Sequence, residues 1–164
     1  VKIEYIDEEN QNGTAAAIRL LKEKLNATFL LVHSDVVYDN ININDLWKKH
    51  ILDQSIASVH VGSPFNPDYN NLPGNVCLEG NKVVYYIEKP HKKHIKSSTY
   101  TRGLYVFEPE IFSFKGDSLE FDIFPELVKR RLLDAYISDS EHLHIHTKED
   151  LNKVKRILKE KRMV

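Results

Sequence analysis

Polar side chains follow several apolar stretches of the sequence, at points where buried strands would reach the surface. Asp35 comes shortly after the apolar run 29–32. A carboxylate at the end of a strand suits Mg²⁺, because this cation takes oxygen ligands and keeps waters and phosphates around it. Asp35 is therefore a candidate metal ligand. The residues alone leave a second interpretation open, in which Asp35 makes a local Asx turn.

The pair Glu88 and Lys89 lies between a predicted strand and Pro90, which fixes the exit of the chain. Because side chains alternate along a strand, the two can face the same way only where the strand has ended. The pair is either a binding element at the end of the sheet or an ordinary surface ion pair, which would contribute little to stability.

Glycine is scarce, with six residues in the chain, so each position merits attention. Gly13 and Thr14 open a predicted helix. A glycine lets the backbone approach a flat ligand, and a new helix offers free N–H groups. The same two residues could also simply shape the turn and cap the helix. Gly103 lies two residues after Thr101, and both belong to the stretch "STYTRGLYVF", which is predicted to form a strand.

The histidines near the C-terminus alternate along the sequence, at positions 142, 144 and 146. A strand would place all three on one face. Imidazole suits zinc or another transition metal better than Mg²⁺. The alternative is that these side chains pack or titrate on a half-buried face.

The elements that must position these residues alternate between strands and helices. We predict strands at 1–6, 27–32, 55–61 and 98–107, helices at 14–25, 42–52 and 148–161, a loop at 63–74, and a hairpin at 75–90 that turns at Gly80-Asn81. Asn44 is the predicted N-cap of the second helix, whose inward face is predicted to carry Leu46, Trp47 and Ile51. This pattern indicates an α/β three-layer sandwich with a mostly parallel mixed sheet, Rossmann-like, and an inserted β-hairpin. In such sheets ligands bind beyond the carboxyl ends of the strands.

Composition narrows the class of protein. The 164 residues carry 23 Lys and Arg against 24 Asp and Glu, and the net charge of -1 argues against a general nucleic-acid or membrane surface. The single Cys77 excludes an internal disulfide framework and fits a reducing compartment. No apolar run approaches the roughly 20 residues of a membrane span. We expect a cytoplasmic domain.

Taken in order, the segments resemble the sugar-1-phosphate nucleotidylyltransferases, which are also called nucleoside-diphosphate-sugar pyrophosphorylases. "NGTAAAI" is similar to their G-T-A-x-A element, and "FLLVHSDVVYD" to their strand that ends in a small residue and a metal-binding Asp. "YYIEKP" matches their E-K-P segment, "TRGLYVF" resembles N-x-G-x-Y-x-F, and "HIHTKEDL" stands where the family has D-I-G-T-P-E-D-L. The resemblance is closest to the mannose-1-phosphate guanylyltransferase and glucose-1-phosphate thymidylyltransferase group.

The resemblance implies that a nucleoside triphosphate and a sugar 1-phosphate react to give an NDP-sugar and pyrophosphate. It assigns the nucleobase to Gly13 and Thr14, catalysis to Asp35 and Lys89, and the sugar phosphate to Glu88, Lys89, Thr101 and Gly103. It also implies Mg²⁺ at Asp35 and His144, or a transition metal if His144 is a ligand. This chain departs from the family at two of these positions. Thr101 stands where the family has Asn, and His144 where it has a metal-binding Asp.

The family begins with a strand and a G-x-G-T-R-type phosphate loop, which this sequence lacks. We therefore expect a single nucleotidyltransferase-like domain over 1–164 that is incomplete at its N-terminus. The natural protein or a partner chain would supply the loop, and a homo-oligomer is a further expectation. Two other functions stay open. One is a non-catalytic sugar-nucleotide-binding or regulatory subunit. The other is a glycosyltransferase, against which the lack of a D-x-D after the 29–32 strand argues.

Overall fold

The computed structural model describes residues 2–10, 12–38, 40–62, 72–138 and 142–162. The strands within these ranges are β1 (Phe29–Val32), β2 (Val36–Tyr38), β3 (Ala57–Gly62), β4 (Asn75–Glu79), β5 (Lys82–Ile87), β6 (Tyr100–Phe107), β7 (Leu133–Ile137) and β8 (His142–His144). The α-helices are α1 (Thr14–Arg19), α2 (Ile43–Asp53), α3 (Phe124–Lys129) and α4 (Lys148–Arg162). Short helical turns cover Lys92–His94, Pro109–Ser113 and Leu119–Ile123. None of these helices is long and apolar enough to cross a membrane.

The main sheet has the strand order β1-β6-β3-β7-β5-β4. From the pairings, β1, β3, β4 and β7 run in one direction and β5 and β6 in the other. The predicted mixed α/β sheet is therefore confirmed, and most strands share a direction. As neighbours, however, only β3 and β7 are parallel among the described strands, because β6 inserts between β1 and β3. The predicted hairpin is β4 and β5, joined at Gly80-Asn81.

Strand β6 shows why the fold has three layers. All eight of its residues are buried. Tyr105 and Phe107 belong to one apolar cluster, which includes Phe124 of α3, whereas Leu104 and Val106 pack in another with Leu46 of α2. Because alternate side chains point to opposite faces of a strand, β6 is covered on both sides.

Three predictions about the elements need correction. Residues 2–6 of the predicted first strand form no strand, and Tyr5 is 91% exposed, because no described strand pairs with them. The first helix ends at Arg19, and turns follow to residue 24. The cap of α2 is Asn42 and not Asn44, because the Asn42 side chain accepts a hydrogen bond from the Asp45 amide at 3.2 Å. Residues 63–71 of the predicted loop lie outside the described ranges.

The inward face of α2 also differs from the prediction. Ile51, expected to face the core, is 49% exposed, and His50 is buried in its place. His50 can be buried in the core because both of its ring nitrogens have polar partners. Its Nδ1 lies 2.8 Å from the Ser58 hydroxyl, and its Nε2 lies 3.1 Å from a Glu108 carboxylate oxygen. A buried polar side chain is tolerated when its hydrogen bonds are made.

Candidate active site

One cavity of about 490 Å³ contains every site residue that the sequence predicts. Its walls include Gly13, Thr14, Asp35, Glu88, Lys89, Thr101, Gly103 and His144. These residues are separated by up to 131 positions in the sequence. The structure brings them together, while the role of each stays a prediction.

The sheet topology explains this convergence. β6 runs antiparallel to β1, so the beginning of β6, with Thr101 and Gly103, lies at the same edge as the end of β1, after which Asp35 follows. The end of β5 pairs with the start of β4 at Asn75, which also pairs with Tyr100 of β6. Glu88 and Lys89 follow β5 and therefore lie at the same edge as Thr101 and Gly103.

The start of α1 is tied to the segment that precedes α3. The amides of Ala15 and Ala16 donate to the Asp117 carbonyl, at 2.8 and 3.1 Å. The expectation that this helix offers free N–H groups is therefore wrong for these two. Gly13 has a φ of 117°, and a Cβ there would lie 2.5 Å from the same carbonyl oxygen. Gly13 is thus needed for the close approach of the two segments.

Glu120 is a half-buried carboxylate of the cavity wall that the sequence motifs do not identify. It accepts hydrogen bonds from the Thr14 hydroxyl at 2.6 Å and from the Ser118 hydroxyl at 3.1 Å. Its other oxygen, Oε1, lies 3.7 Å from Nε2 of His33, which the motifs also do not identify. The signal for His33 was its position directly after β1. Glu120 follows no predicted strand and therefore carries no such signal.

Charge and burial shift the pKa values of His33 and Glu120 in opposite directions. The Glu120 carboxylate raises the pKa of His33, although burial opposes the shift. Burial would by itself raise the pKa of Glu120, but the interactions with His33, Thr14 and Ser118 outweigh it and hold that pKa below its ordinary value. His33 and Glu120 therefore favour each other's charged forms.

Glu88 and Lys89 do not form the surface ion pair that the sequence leaves open. Within the described residues the two side chains make no ion pair, and Glu88 instead accepts a 2.6 Å hydrogen bond from the Tyr86 hydroxyl. Burial raises the pKa of Glu88. Lys89 is exposed and has a φ of 46°, in the left-handed region, directly before Pro90. Such a backbone conformation is unusual for a residue other than glycine and often marks a functional site.

Gly103 has no side chain, and this leaves room for the His33 ring in the cavity wall. Its φ is 65°, and a Cβ on it would lie 2.9 Å from Nδ1 of His33. The His33 amide also donates to the Gly103 carbonyl at 2.9 Å. Thr101 is buried, and its amide donates to the Gly74 carbonyl at 2.8 Å.

A second, two-stranded sheet joins the C-terminal segment to Asp35. β2 and β8 pair antiparallel, with Val36 opposite His144, and the Ile145 amide donates to the Asp35 carbonyl at 2.8 Å. This places His144 and His146 on either side of that hydrogen bond. Their rings stack with centroids 5.2 Å apart, and Nδ1 of His146 lies 3.6 Å from Oδ2 of Asp35.

Asp35, His144 and His146 each offer one ligand atom, and these atoms lie within 4.8 Å of one another. They are the one such His, Cys, Asp and Glu group within the described part of the chain. Burial lowers the pKa of His144, which favours the neutral imidazole that a metal requires. The sequence predicted Asp35 and His144 but not His146 as ligands. The side chain of His142 lies outside the described part.

Comparison with known proteins decides the family. A family model described as nucleotidyl transferase matches residues 1–156. The chain belongs to the nucleotidyl transferase family. The family recognised from the sequence motifs is thereby confirmed.

Individual relatives of this nucleotidyl transferase family member are distant. The bifunctional protein GlmU of Methanococcus maripaludis strain C7 is 28% identical over 145 residues, which are 88% of this chain and 32% of that protein. The UTP–glucose-1-phosphate uridylyltransferase AglF of Haloferax volcanii is 25% identical over 98% of this chain and 68% of its own length. The chain spans about a quarter to a third of the length of the GlmU proteins that it matches.

A solved structure supports the fold of this family member. The crystal structure of a candidate glucose-1-phosphate thymidylyltransferase from Bacillus anthracis, in complex with a sucrose, superposes with a TM-score of 0.72. The match covers 88% of this chain and 60% of that one, at 20% sequence identity. At this identity the likeness concerns the fold alone.

The His33–Glu120 pair gives this nucleotidyl transferase a testable pH dependence. A lowered Glu pKa contributes stability that is present above 4.5, the ordinary value, and is lost as the pH falls through the folded pKa. A raised His pKa contributes stability that is present below 6.5 and is lost as the pH rises through the folded pKa. Both contributions coexist between pH 4.5 and 6.5.

We therefore expect Glu120→Gln to lower the free energy of unfolding by about 1 to 3 kcal/mol in that window, and by less at pH 8. Urea unfolding of both proteins at pH 5.5 and pH 8 measures the difference. Glu110→Gln, at an exposed side chain, is the matched control and should cause a small change at both pH values. An equal loss at both pH values for Glu120→Gln would show that the charged pair does not form.

Proposed function

We propose that the protein transfers a nucleotidyl group from a nucleoside triphosphate to a sugar 1-phosphate. A phosphate oxygen of the sugar 1-phosphate forms a bond to the α-phosphorus, and the bond from the α-phosphorus to the bridging oxygen breaks. Pyrophosphate leaves with that electron pair, and an NDP-sugar remains. The attacking oxygen is already anionic, so the step needs no general base. The observation that carries this proposal is that all eight predicted residues line one cavity.

The side chains suit the tasks that such a reaction sets. Lys89 is the one lysine or arginine among the described residues of the cavity wall, and we assign to it the phosphate of the sugar. Glu88, held by Tyr86, would accept hydrogen bonds from sugar hydroxyls. Gly103 and Thr101 would lie along the sugar, and Gly13 and Thr14 along the nucleobase. The reaction rests on positioning and on offsetting negative charge.

One lysine cannot offset the charge of a triphosphate and a sugar phosphate together. A divalent cation at Asp35 would supply positive charge to the phosphates as they react. The Asp35 carboxylate fits Mg²⁺, the expected ion, whereas the imidazoles of His144 and His146 fit a transition metal. We propose that further positive groups come from outside the described residues or from a partner chain. A homo-oligomer and a cytoplasmic location also stay predictions.

The test is to incubate the full-length protein with a panel of nucleoside triphosphates and sugar 1-phosphates and to measure pyrophosphate release. Release that requires both substrates supports the transferase. Binding of both without release would contradict it. That outcome would favour the non-catalytic sugar-nucleotide-binding subunit, which the imidazole of His144 at the position of a metal-binding Asp makes the second candidate.

Lys89→Ala is expected to weaken sugar 1-phosphate binding by roughly 10- to 100-fold, because one charge-assisted hydrogen bond to phosphate is lost. Nucleoside triphosphate binding should change much less. Calorimetric titration with each ligand measures the two affinities. Lys92→Ala, at an exposed lysine of the neighbouring helical turn, is the matched control and should leave both unchanged. Equal losses for the two ligands would assign Lys89 a structural role.

A further inference from the structure

The group of candidate ligands formed by Asp35, His144 and His146 does not offer the donor atoms expected of a Mg²⁺ site. Mg²⁺ takes oxygen ligands and loses its waters reluctantly. Two of the three donors here are imidazole nitrogens, from His144 and His146. Imidazole favours Zn²⁺, Cu²⁺, Fe²⁺ or Ni²⁺, and in the series of first-row divalent ions the affinity for such a donor set rises from Mn²⁺ toward Cu²⁺.

The geometry needs little adjustment to hold such an ion. Two nitrogens that each lie about 2.1 Å from a metal are at most about 4.2 Å apart. The three donor atoms lie within 4.8 Å of one another, so a small side-chain rotation closes the site. His146 has the freedom for this rotation, since its side chain is 49% exposed.

The backbone fixes the donors more firmly than side-chain contacts alone would. The hydrogen bond from the Ile145 amide to the Asp35 carbonyl and the pairing of Val36 with His144 set Asp35 against the histidine segment. Catalytic zinc sites commonly use three protein ligands and leave one position to water or substrate. Asp35, His144 and His146 all line the cavity, so an open position would face its interior.

We infer that Asp35, His144 and His146 form a three-ligand site for a divalent transition-metal ion, which they bind in preference to Mg²⁺. The purpose of this ion beside the substrate phosphates rests on the proposed function. Its binding does not, because the site is complete without nucleotide or sugar.

The test uses Co²⁺, whose visible absorption reports nitrogen ligation, on the full-length protein after removal of metal with a chelator and without substrate. We expect the absorption to saturate at one Co²⁺ at this site, and competition should show Mg²⁺ to bind at least about 100-fold more weakly. His146→Ala should weaken Co²⁺ binding by about tenfold or more. His146→Asp should narrow the preference for Co²⁺ over Mg²⁺, because it replaces a nitrogen donor with oxygen.

The matched control is the double variant His91→Ala, His94→Ala. These two rings lie 6.2 Å apart on another part of the surface and belong to no described three-ligand group. The control should keep the wild-type Co²⁺ spectrum. Equal affinity for Mg²⁺ and Co²⁺, or a spectrum unchanged by both His146 substitutions, would overturn the inference. So would loss of the spectrum in the control.

The outcome is separate from that of the proposed function. Specific Co²⁺ binding without pyrophosphate release would support the metal site and count against the transferase. Pyrophosphate release with Mg²⁺ in a protein that binds no Co²⁺ at these residues would support the transferase and refute the metal site.

Discussion

Asp35→Ala is expected to lower the rate of pyrophosphate release by about 100-fold or more, because it removes the one carboxylate of the three-ligand group and with it the charge that holds a cation beside the phosphates. Folding should be nearly unaffected. The Asp35 side chain is 44% exposed, and its link to Ile145 uses the backbone carbonyl, which alanine retains. Steady-state pyrophosphate release and thermal unfolding of the full-length protein measure the two effects.

Asp7→Ala is the matched control for this prediction. Asp7 is an exposed acid of the N-terminal segment and does not line the active-site cavity. The control should keep the wild-type rate. Turnover that is unchanged in Asp35→Ala would remove Asp35 from the mechanism and favour the Asx-turn interpretation. A large fall in the unfolding temperature would instead show that the residue is structural.

Gly103→Ala should destabilise the protein by about 2 to 5 kcal/mol, through two effects that act together. A left-handed backbone costs a residue with a Cβ about 1 to 2 kcal/mol. The new methyl group would also lie 2.9 Å from the His33 ring, and overpacking of this kind costs about 1 to 3 kcal/mol. Urea unfolding measures the sum.

Gly80→Ala separates the two effects. Gly80 has a φ of 59°, close to the 65° of Gly103, but nothing lies within 4 Å of a Cβ built there. It should therefore show the backbone cost alone, about 1 to 2 kcal/mol. Adding Gly103→Ala to a His33→Ala protein should cost the same smaller amount, because the ring is gone. Equal effects of Gly103→Ala and Gly80→Ala in the wild-type protein would show that the His33 contact is unimportant.

The sequence predicts the positions of the site well where a residue follows a strand. Asp35, Glu88 and Lys89 come after β1 and β5, and strand ends can be read from the apolar runs that precede them. That they meet was not predictable, because β1 and β5 run in opposite directions. Their meeting depends on Asn75, which pairs with Ile87 at the end of β5 and with Tyr100 at the start of β6.

Residues whose position depends on long-range contacts were missed. Glu120 accepts a hydrogen bond from the Thr14 hydroxyl, 106 positions away in the sequence. No residue near Glu120 in the sequence predicts that contact. His146 gains its place from the register of β8 against β2. The wrong first strand has a related cause. Apolar, β-branched residues predict a strand locally, but a strand forms only where a neighbour supplies hydrogen bonds, and residues 2–6 have none among the described strands.

The pairing of β2 with β8 determines the free energy needed to detach one wall of the cavity from the rest of the protein. It contains three residue pairs, and α4, which follows it, buries only Val154 among its described side chains. A unit with so few buried contacts opens at a lower free energy than the central sheet. Detachment of β8 would carry His144 and His146 away from Asp35 while the other walls stay folded. Local unfolding at the C-terminus and competence of the site are therefore coupled, and hydrogen exchange at the Ile145 amide would report both.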